Sequence, residues 1–184
     1  MKRYFSCFIA CMLIMGLISV FGQNDNNRPK FSDAQKQHAK IYYQIVIQLR
    51  KGQHDFDKSF KAFYGPIVND CERLYKEHKK YEAFFRQKAN SSMENNKQEI
   101  AKKQEKARLY FEQLADLTQN ISEAFKKMDS SKIDNSLVEY KQIEKNLLAL
   151  GAKIPQRNWV TVSEAEIFVA QAIRNTRPRK QSQN

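Results

Sequence analysis

Residues 66–88, PIVNDCERLYKEHKKYEAFFRQK, contain the strongest periodic signal in this chain. Steps of four and three residues place side chains on one face of an α-helix, with the charged residues between them. Pro66 has no backbone N–H and suits the first turn of such a helix. The stretch therefore predicts a long amphipathic helix that packs against a partner helix. Its seam consists of Ile67, Cys71, Leu74, His78, Tyr81, Phe85 and Lys88.

The partner helix follows directly in the sequence. Continuing the same register would bring only polar residues onto the seam, so residues 90–96 (NSSMENN) are predicted to form a turn. Two long helices joined by a short polar connection fold back on each other, which predicts an elongated, coiled-coil-like antiparallel hairpin. The second register consists of Ile100, Ala107, Phe111, Leu114, Leu117, Ile121, Phe125 and Met128.

The rest of the chain also predicts helices, which makes the expected fold an all-α helical bundle in a single domain over residues 32–175. Ser32 with Gln35, and Ser163 with Glu166, have the spacing of a capping box. Gly65 and Pro66 interrupt one helical pattern, and Gly151 suits the left-handed end of another. Ser131 or Asp134 is the expected cap of the helix before Gly151, and residues 152–162 are expected to be irregular. The predicted helices span residues 32–51, 55–64, 66–88, 97–128, 133–150 and 164–175.

The first 22 residues predict a secretory signal peptide. Lys2 and Arg3 precede an apolar run, and Gly22 offers a small residue at the expected cleavage site. Residues 23–31 then form a flexible leader, and the exported chain, secreted or periplasmic, begins at Gln23. The alternative is an uncleaved anchor that leaves the body outside the cytoplasm, because the run reaches the lower end of the length that spans a bilayer.

Cleavage after Gly22 would remove two of the three cysteines and leave only Cys71. A single cysteine cannot form an internal disulfide, although it could bridge two chains. Its place on the apolar seam favours a buried, unreactive thiol.

The chain is strongly basic, with a net charge of +12. Loss of Lys2 and Arg3 leaves 30 basic and 20 acidic residues, a net charge of +10. Outside the cytoplasm such a charge favours anionic surfaces or acidic proteins as partners, and nucleic acid is not expected.

No arrangement of residues in the sequence indicates a catalytic, metal or cofactor site. The histidines His38, His54 and His78 are too dispersed for a zinc site, and His38 and His78 lie on apolar faces. Cys71 and His78 are about 10 Å apart along one helix, which excludes a direct thiol–imidazole hydrogen bond within it. The carboxylates have Lys or Arg neighbours at helical spacing. We therefore expect a protein that is not an enzyme and needs no cofactor.

The expected functional surface is a cationic face of the hairpin. Between Arg73 and Arg108 there are eleven Lys or Arg residues and five Glu residues. Such a run can be an ordinary solvated helix face or a site for an anionic partner. The candidate residues are Arg73, Lys76, Lys79, Lys80, Arg86, Lys88, Lys102, Lys103, Lys106 and Arg108. A second cluster lies at Arg174 and in a basic tail, residues 176–184, that is expected to be disordered: Arg177, Arg179 and Lys180.

Three functions remain open at this point. The first is an exported interaction protein that binds an anionic or partly unfolded partner through the hairpin, with a homodimer or a membrane surface as further partners. The second is a structural envelope component held by an uncleaved signal segment. The third is an enzyme whose groups converge from distant positions. Asn90 also begins a glycosylation acceptor in the predicted turn.

Overall fold

The computed structural model describes residues 30–176, which form five α-helices and no strand. The all-α bundle is therefore confirmed. The predicted signal peptide, its cleavage site, residues 23–29 of the leader and the tail from residue 177 lie outside the described residues. The helices are α1 (Asp33–Arg50), α2 (Phe56–Glu94), α3 (Gln98–Lys126), α4 (Ser130–Ala149) and α5 (Val162–Thr176).

Two local signals were predicted correctly. Ser32 caps α1 through a reciprocal capping box, in which Gln35 N donates to Ser32 Oγ at 3.3 Å and Ser32 N donates to Gln35 Oε1 at 3.0 Å. Gly151 follows α4 with a φ of 75°, a conformation that glycine adopts without steric cost.

The predicted helix break at Gly65 and Pro66 is wrong. The helix α2 continues through both residues and has a total length of 39 residues. Buried side chains continue at helical spacing on either side of Pro66, from Phe60 and Phe63 to Ile67 and Cys71. Packing of this continuous apolar face offsets the backbone hydrogen bond that proline cannot donate.

The predicted turn over residues 90–96 is also too long. The helix α2 runs on to Glu94, so that Asn90 is helical, and only residues 95–97 connect it to α3. Ser92 stabilises this last turn because its hydroxyl donates to Gln104 Oε1 of α3 at 2.8 Å. Ile100, predicted to lie on the seam, is instead 49% exposed.

The caps of α4 and α5 differ from the predicted ones. Asp129, rather than Ser131 or Asp134, caps α4 by accepting from Lys132 N at 3.0 Å. At α5 the reciprocal pair is Thr161 with Glu164, two residues before the predicted Ser163 and Glu166. Both differences arise because several polar residues precede each helix, and tertiary contacts decide which of them caps it.

The helices α2 and α3 run antiparallel along their whole length. Three contacts establish the register: the Phe60 and Phe125 rings are 5.5 Å apart, the Phe85 and Phe111 rings 5.6 Å apart, and Ser92 reaches Gln104. The helix α4 packs on α3, and α1 packs on both α5 and α2. The predicted coiled-coil character of the pair stays a prediction.

The irregular segment 152–161 crosses this bundle and is fixed by buried polar contacts. Asn158 donates to Asp70 of α2 from its backbone N–H at 3.0 Å and from its side chain at 3.1 Å. The Val160 N–H donates to His38 Nδ1, and His38 Nε2 lies 2.7 Å from the Phe63 carbonyl. These two bonds make His38 a neutral imidazole with its proton on Nε2.

Candidate interaction surface

The inner face of the α2–α3 pair consists of aromatic residues at its middle and small residues towards its far end. Phe111 of α3 is fully buried against Tyr81 and Phe85 of α2, with ring centroids 5.0 and 5.6 Å apart. Ala89 and Ala101 are buried beyond them. Small side chains let two helices approach closely. The two helices therefore stay in direct contact up to the turn that connects them.

One flank of this pair is electrically balanced; we call it the paired flank. Arg108 of α3 lies 3.6 Å from Glu82 of α2, and this contact marks the side on which the flank lies. Glu82 also binds Lys79 and Arg86, and hydrogen bonding from Lys79 lowers the pKa of Glu82. Arg108 also pairs with Glu105 and Glu112. The paired flank therefore has three basic residues, Lys79, Arg86 and Arg108, and three acidic ones, Glu82, Glu105 and Glu112.

Six residues on the opposite flank of the pair define what we call the open flank. Successive residues of a helix are rotated by about 100°, which places each of the six about 100° to 160° around its helix from Glu82 or Arg108. Glu82 and Arg108 mark the paired flank, so residues rotated this far face the other side. The open flank is defined as Tyr81, Phe84 and Lys88 of α2 and Lys103, Lys106 and Tyr110 of α3.

The open flank combines uncompensated positive charge with exposed aromatic surface. Lys88, Lys103 and Lys106 make no ion pair with any residue in the described range. The Lys88 ammonium lies 5.5 Å from the centre of the Phe84 ring, and Lys106 lies 5.9 Å from that of Tyr110. Phe84 is nevertheless 48% exposed, so its ring is available to a partner.

The helix α4 covers the same flank nearer the base of the pair. On α3, Leu117 and Ile121 point about 80° to 120° away from the side that faces α2. They are buried nevertheless, so α4 must cover them. Their stripe continues in steps of four and three residues to Leu114 and Tyr110. Because α4 has 20 residues and α3 has 29, about nine residues, or about 14 Å, of α3 extend beyond α4.

The structure divides the ten predicted basic residues into two groups. The charge count from Arg73 to Arg108 left out Asp70, Glu72 and Glu112. These three lie outside the counted range but form ion pairs with Arg73, Lys76 and Arg108 inside it. Hydrogen bonding to Asp70 raises the pKa of Arg73, as hydrogen bonding to Glu105 does for Arg108. Six are held in ion pairs: Arg73, Lys76, Lys79, Arg86, Lys102 and Arg108. Lys80, Lys88, Lys103 and Lys106 have no such partner among the described residues.

The second predicted cluster receives no structural description. Arg174 lies within α5, but its side chain is outside the described part of the chain, as are Arg177, Arg179 and Lys180.

Buried ionisable groups form a separate set near the base of the bundle, which the sequence did not reveal. Tyr64 donates to both carboxylate oxygens of Asp134 at 3.0 Å, and Tyr42 donates to Glu166 at 3.0 Å. Burial raises the pKa of Asp134 to about 6, and it raises that of Glu166 as well. These contacts join four helices, since the four residues belong to α2, α4, α1 and α5.

Arg157 connects the irregular segment to α4 and α5. It donates to both oxygens of Glu164 at 2.6 and 2.9 Å and to Glu144 at 3.2 Å, and its guanidinium lies over the Trp159 ring at 4.7 Å. Burial acts against the charge of Glu164, but hydrogen bonding from Arg157 lowers the pKa of Glu164 to about 2. Arg157 and the two carboxylates satisfy one another, which suits a structural role, whereas the buried Trp159 Nε1 has no hydrogen-bond partner among the described residues.

His78 and Cys71 are both enclosed in the core. The Tyr140 hydroxyl lies 3.0 Å from His78 Nε2, and burial, followed by the charge of Arg73, lowers the pKa of His78 to about 4. Cys71 is 3% exposed, and burial raises the pKa of its thiol to about 12. A neutral imidazole and a protonated thiol without solvent access cannot act on an external substrate.

Residues 30–176 contain neither a cluster of metal ligands nor a membrane-spanning helix. No three His, Cys, Asp or Glu side chains in this range converge as metal ligands would. None of its helices combines the length and the apolar composition needed to span a bilayer.

Comparison with known proteins yields no family model, no curated protein and no solved structure that matches this chain.

Proposed function

We propose that this chain is an exported, non-enzymatic interaction protein that binds an anionic or partly unfolded partner through the open flank. The observation that carries the proposal is the juxtaposition of Lys88, Lys103 and Lys106, which lack acidic partners among the described residues, with the exposed ring of Phe84. Elsewhere on the pair, intrachain carboxylates compensate most of the basic residues. An anionic partner would supply the missing negative charge, and an unfolded one would supply apolar side chains for the aromatic rings.

The proposal is tested with two fluorescent probes: poly-L-glutamate, and an acidic protein kept unfolded by reduction and carboxymethylation. We expect both to bind, and Lys88→Gln, Lys103→Gln and Lys106→Gln combined to weaken binding about tenfold. Three exposed charge contacts of about 0.5 kcal/mol each correspond to that factor. Fluorescence anisotropy measures it, and raising the salt from about 50 to about 300 mM should weaken binding as well.

The matched control is Lys36→Gln, Lys132→Gln and Lys141→Gln, which removes the same charge from three lysines of α1 and α4 that lie off the α2–α3 pair and have acidic partners. It should leave affinity nearly unchanged. Equal losses in the two triple variants, or binding that ignores salt, would contradict the proposal.

Export is a separate part of this proposal and depends on the apolar run before Gly22. Mass spectrometry of the native N-terminus tests it. A chain that starts at Gln23 supports an exported protein, whereas an intact Met1 in the membrane fraction supports the anchored envelope component instead.

A further inference from the structure

We propose that the open flank holds an acidic amphipathic helix of a partner protein, which lies end to end with α4 along the α2–α3 pair. This inference rests on the proposed function, because it names the kind of anionic partner. The path of α4, the exposed ring of Phe84 near its end and the positions of the unpaired lysines support it.

The path of α4 indicates that this flank accepts a helix. Near its base, α4 buries Leu114, Leu117 and Ile121 of α3. The same stripe passes Tyr110 near the end of α4 and continues beyond that end to Lys103. A second helix in line with α4 would therefore meet the same pair of helices on the same side, in the part that α4 is too short to cover.

Exposed apolar surface on the open flank lies at the edge of this uncovered part. Phe84 of the open flank is 48% exposed, and Ile100, 49% exposed, is three residues from Lys103 on the adjacent stripe. Met93 is rotated only about 20° from Glu82 and Leu109 about 160° from Phe111, so these two exposed side chains lie on other faces. Phe84 and Ile100 are therefore the anchors that the apolar face of a helix can contact.

The unpaired lysines lie on both helices of the flank. Lys88 is on α2, whereas Lys103 and Lys106 are on α3. A helix between them would therefore have basic residues along both of its edges, which selects acidic residues next to its apolar face. A second copy of this chain fits poorly, because a symmetric dimer would bring these lysines together in a chain of net charge +12.

Two fluorescein-labelled peptides test the inference with the full chain. Both contain the same Leu, Ala and Glu residues over about 18 positions, or five helical turns. One spaces leucine at i, i+3, i+4 and i+7, and the other orders the same residues so that no apolar face exists. We expect the amphipathic peptide to bind about tenfold more tightly, because only it can place leucines against the aromatic rings.

Variants separate the apolar contribution from the charge. Phe84→Ala should weaken binding of the amphipathic peptide about tenfold and leave the reordered peptide unaffected, since one buried aromatic anchor accounts for such a factor. Val138→Ala, which shortens an exposed apolar residue of α4, is the matched control and should change neither. The Lys88, Lys103 and Lys106 triple variant should weaken both peptides.

The possible failures are distinguishable. Equal binding of the two peptides, with loss in the lysine variant, overturns the helical partner and leaves the proposed function standing. Binding that is indifferent to the lysine variant overturns both. If neither peptide binds and phosphatidylglycerol vesicles bind through the same lysines, the partner is a lipid surface and the inference is wrong.

Discussion

Asp134 and His78 are buried groups whose pKa values shift in opposite directions. Burial raises the pKa of Asp134 from 3.8 to about 6, even though Tyr64 donates to its carboxylate. Burial lowers the pKa of His78 from 6.5 to about 4. The folded state therefore binds the Asp134 proton more tightly, and the His78 proton more weakly, than the unfolded state does.

These shifts have opposite effects on stability between pH 4 and pH 6.5. Rising pH removes up to about 3 kcal/mol at Asp134, because the folded carboxyl must ionise in a buried place. Over the same window rising pH adds about 3 kcal/mol at His78, because the unfolded imidazole no longer gains from protonation. The two contributions are similar in size and opposite in sign, so each masks the other in the unmodified chain.

Removing either group by substitution should reveal how the other changes the free energy of unfolding with pH. With Asp134→Asn, the free energy of unfolding is expected to rise from pH 4 to pH 7, and with His78→Gln it should fall. Urea unfolding at pH 4, 5.5 and 7 measures how the free energy of unfolding of each variant changes with pH. A loss of stability that is the same at every pH does not alter this change. Parallel pH profiles for the unmodified chain and both variants would show that the shifts are absent.

At the scale of the element, α2 shows a helix in which tertiary packing overrides a local breaker. Gly65 and Pro66 both disfavour a helix interior, yet the chain is helical there. Outside its two chain neighbours and the backbone of its own helix, a Cβ atom added at Gly65 would have no heavy atom within 4 Å, and the φ of Gly65 is not positive. Tertiary packing therefore does not require glycine here, and the one group that a Cβ would crowd is the Pro66 ring that follows it.

Gly65→Ala is accordingly expected to stabilise the protein by about 1 kcal/mol, because alanine has less freedom to lose on folding. Gly151→Ala is the matched control, because its φ of 75° strains any side chain and the substitution should destabilise by about 1 kcal/mol. Free energies of unfolding in urea compare the two. If Gly65→Ala destabilises the chain, crowding between the new Cβ and the Pro66 ring outweighs the gain in helix propensity.

Sequence reasoning succeeded where neighbours along the chain decide the outcome. The Ser32–Gln35 box and the glycine stop at Gly151 are local, and both are present. It failed at Pro66, because the energy that keeps α2 helical comes from burial of Phe63 and Ile67 against other elements. Charge counting failed for a different reason, since the ion-pair partners lie three or four residues away and the counted range left out Asp70, Glu72 and Glu112.

At the scale of the whole molecule, the far end of the α2–α3 pair has fewer neighbours than the base. Residues 87–106 lie beyond the reach of α4, and their shared core contains only small residues such as Ala89 and Ala101. The base instead joins all five helices through large side chains, among them Phe60, Ile67 and Trp159. Local opening requires less free energy where less apolar surface is buried.

Hydrogen exchange should therefore divide α2 and α3 into two regions. Amides of residues 87–94 and 98–106 are expected to exchange at least about tenfold faster than those of residues 67–78 and 111–121, because only the former open without global unfolding. Native-state exchange read by mass spectrometry or NMR measures this difference. Uniform protection along both helices would mean that the far end opens only with the core, and that α4 is not what sets the boundary between the two regions.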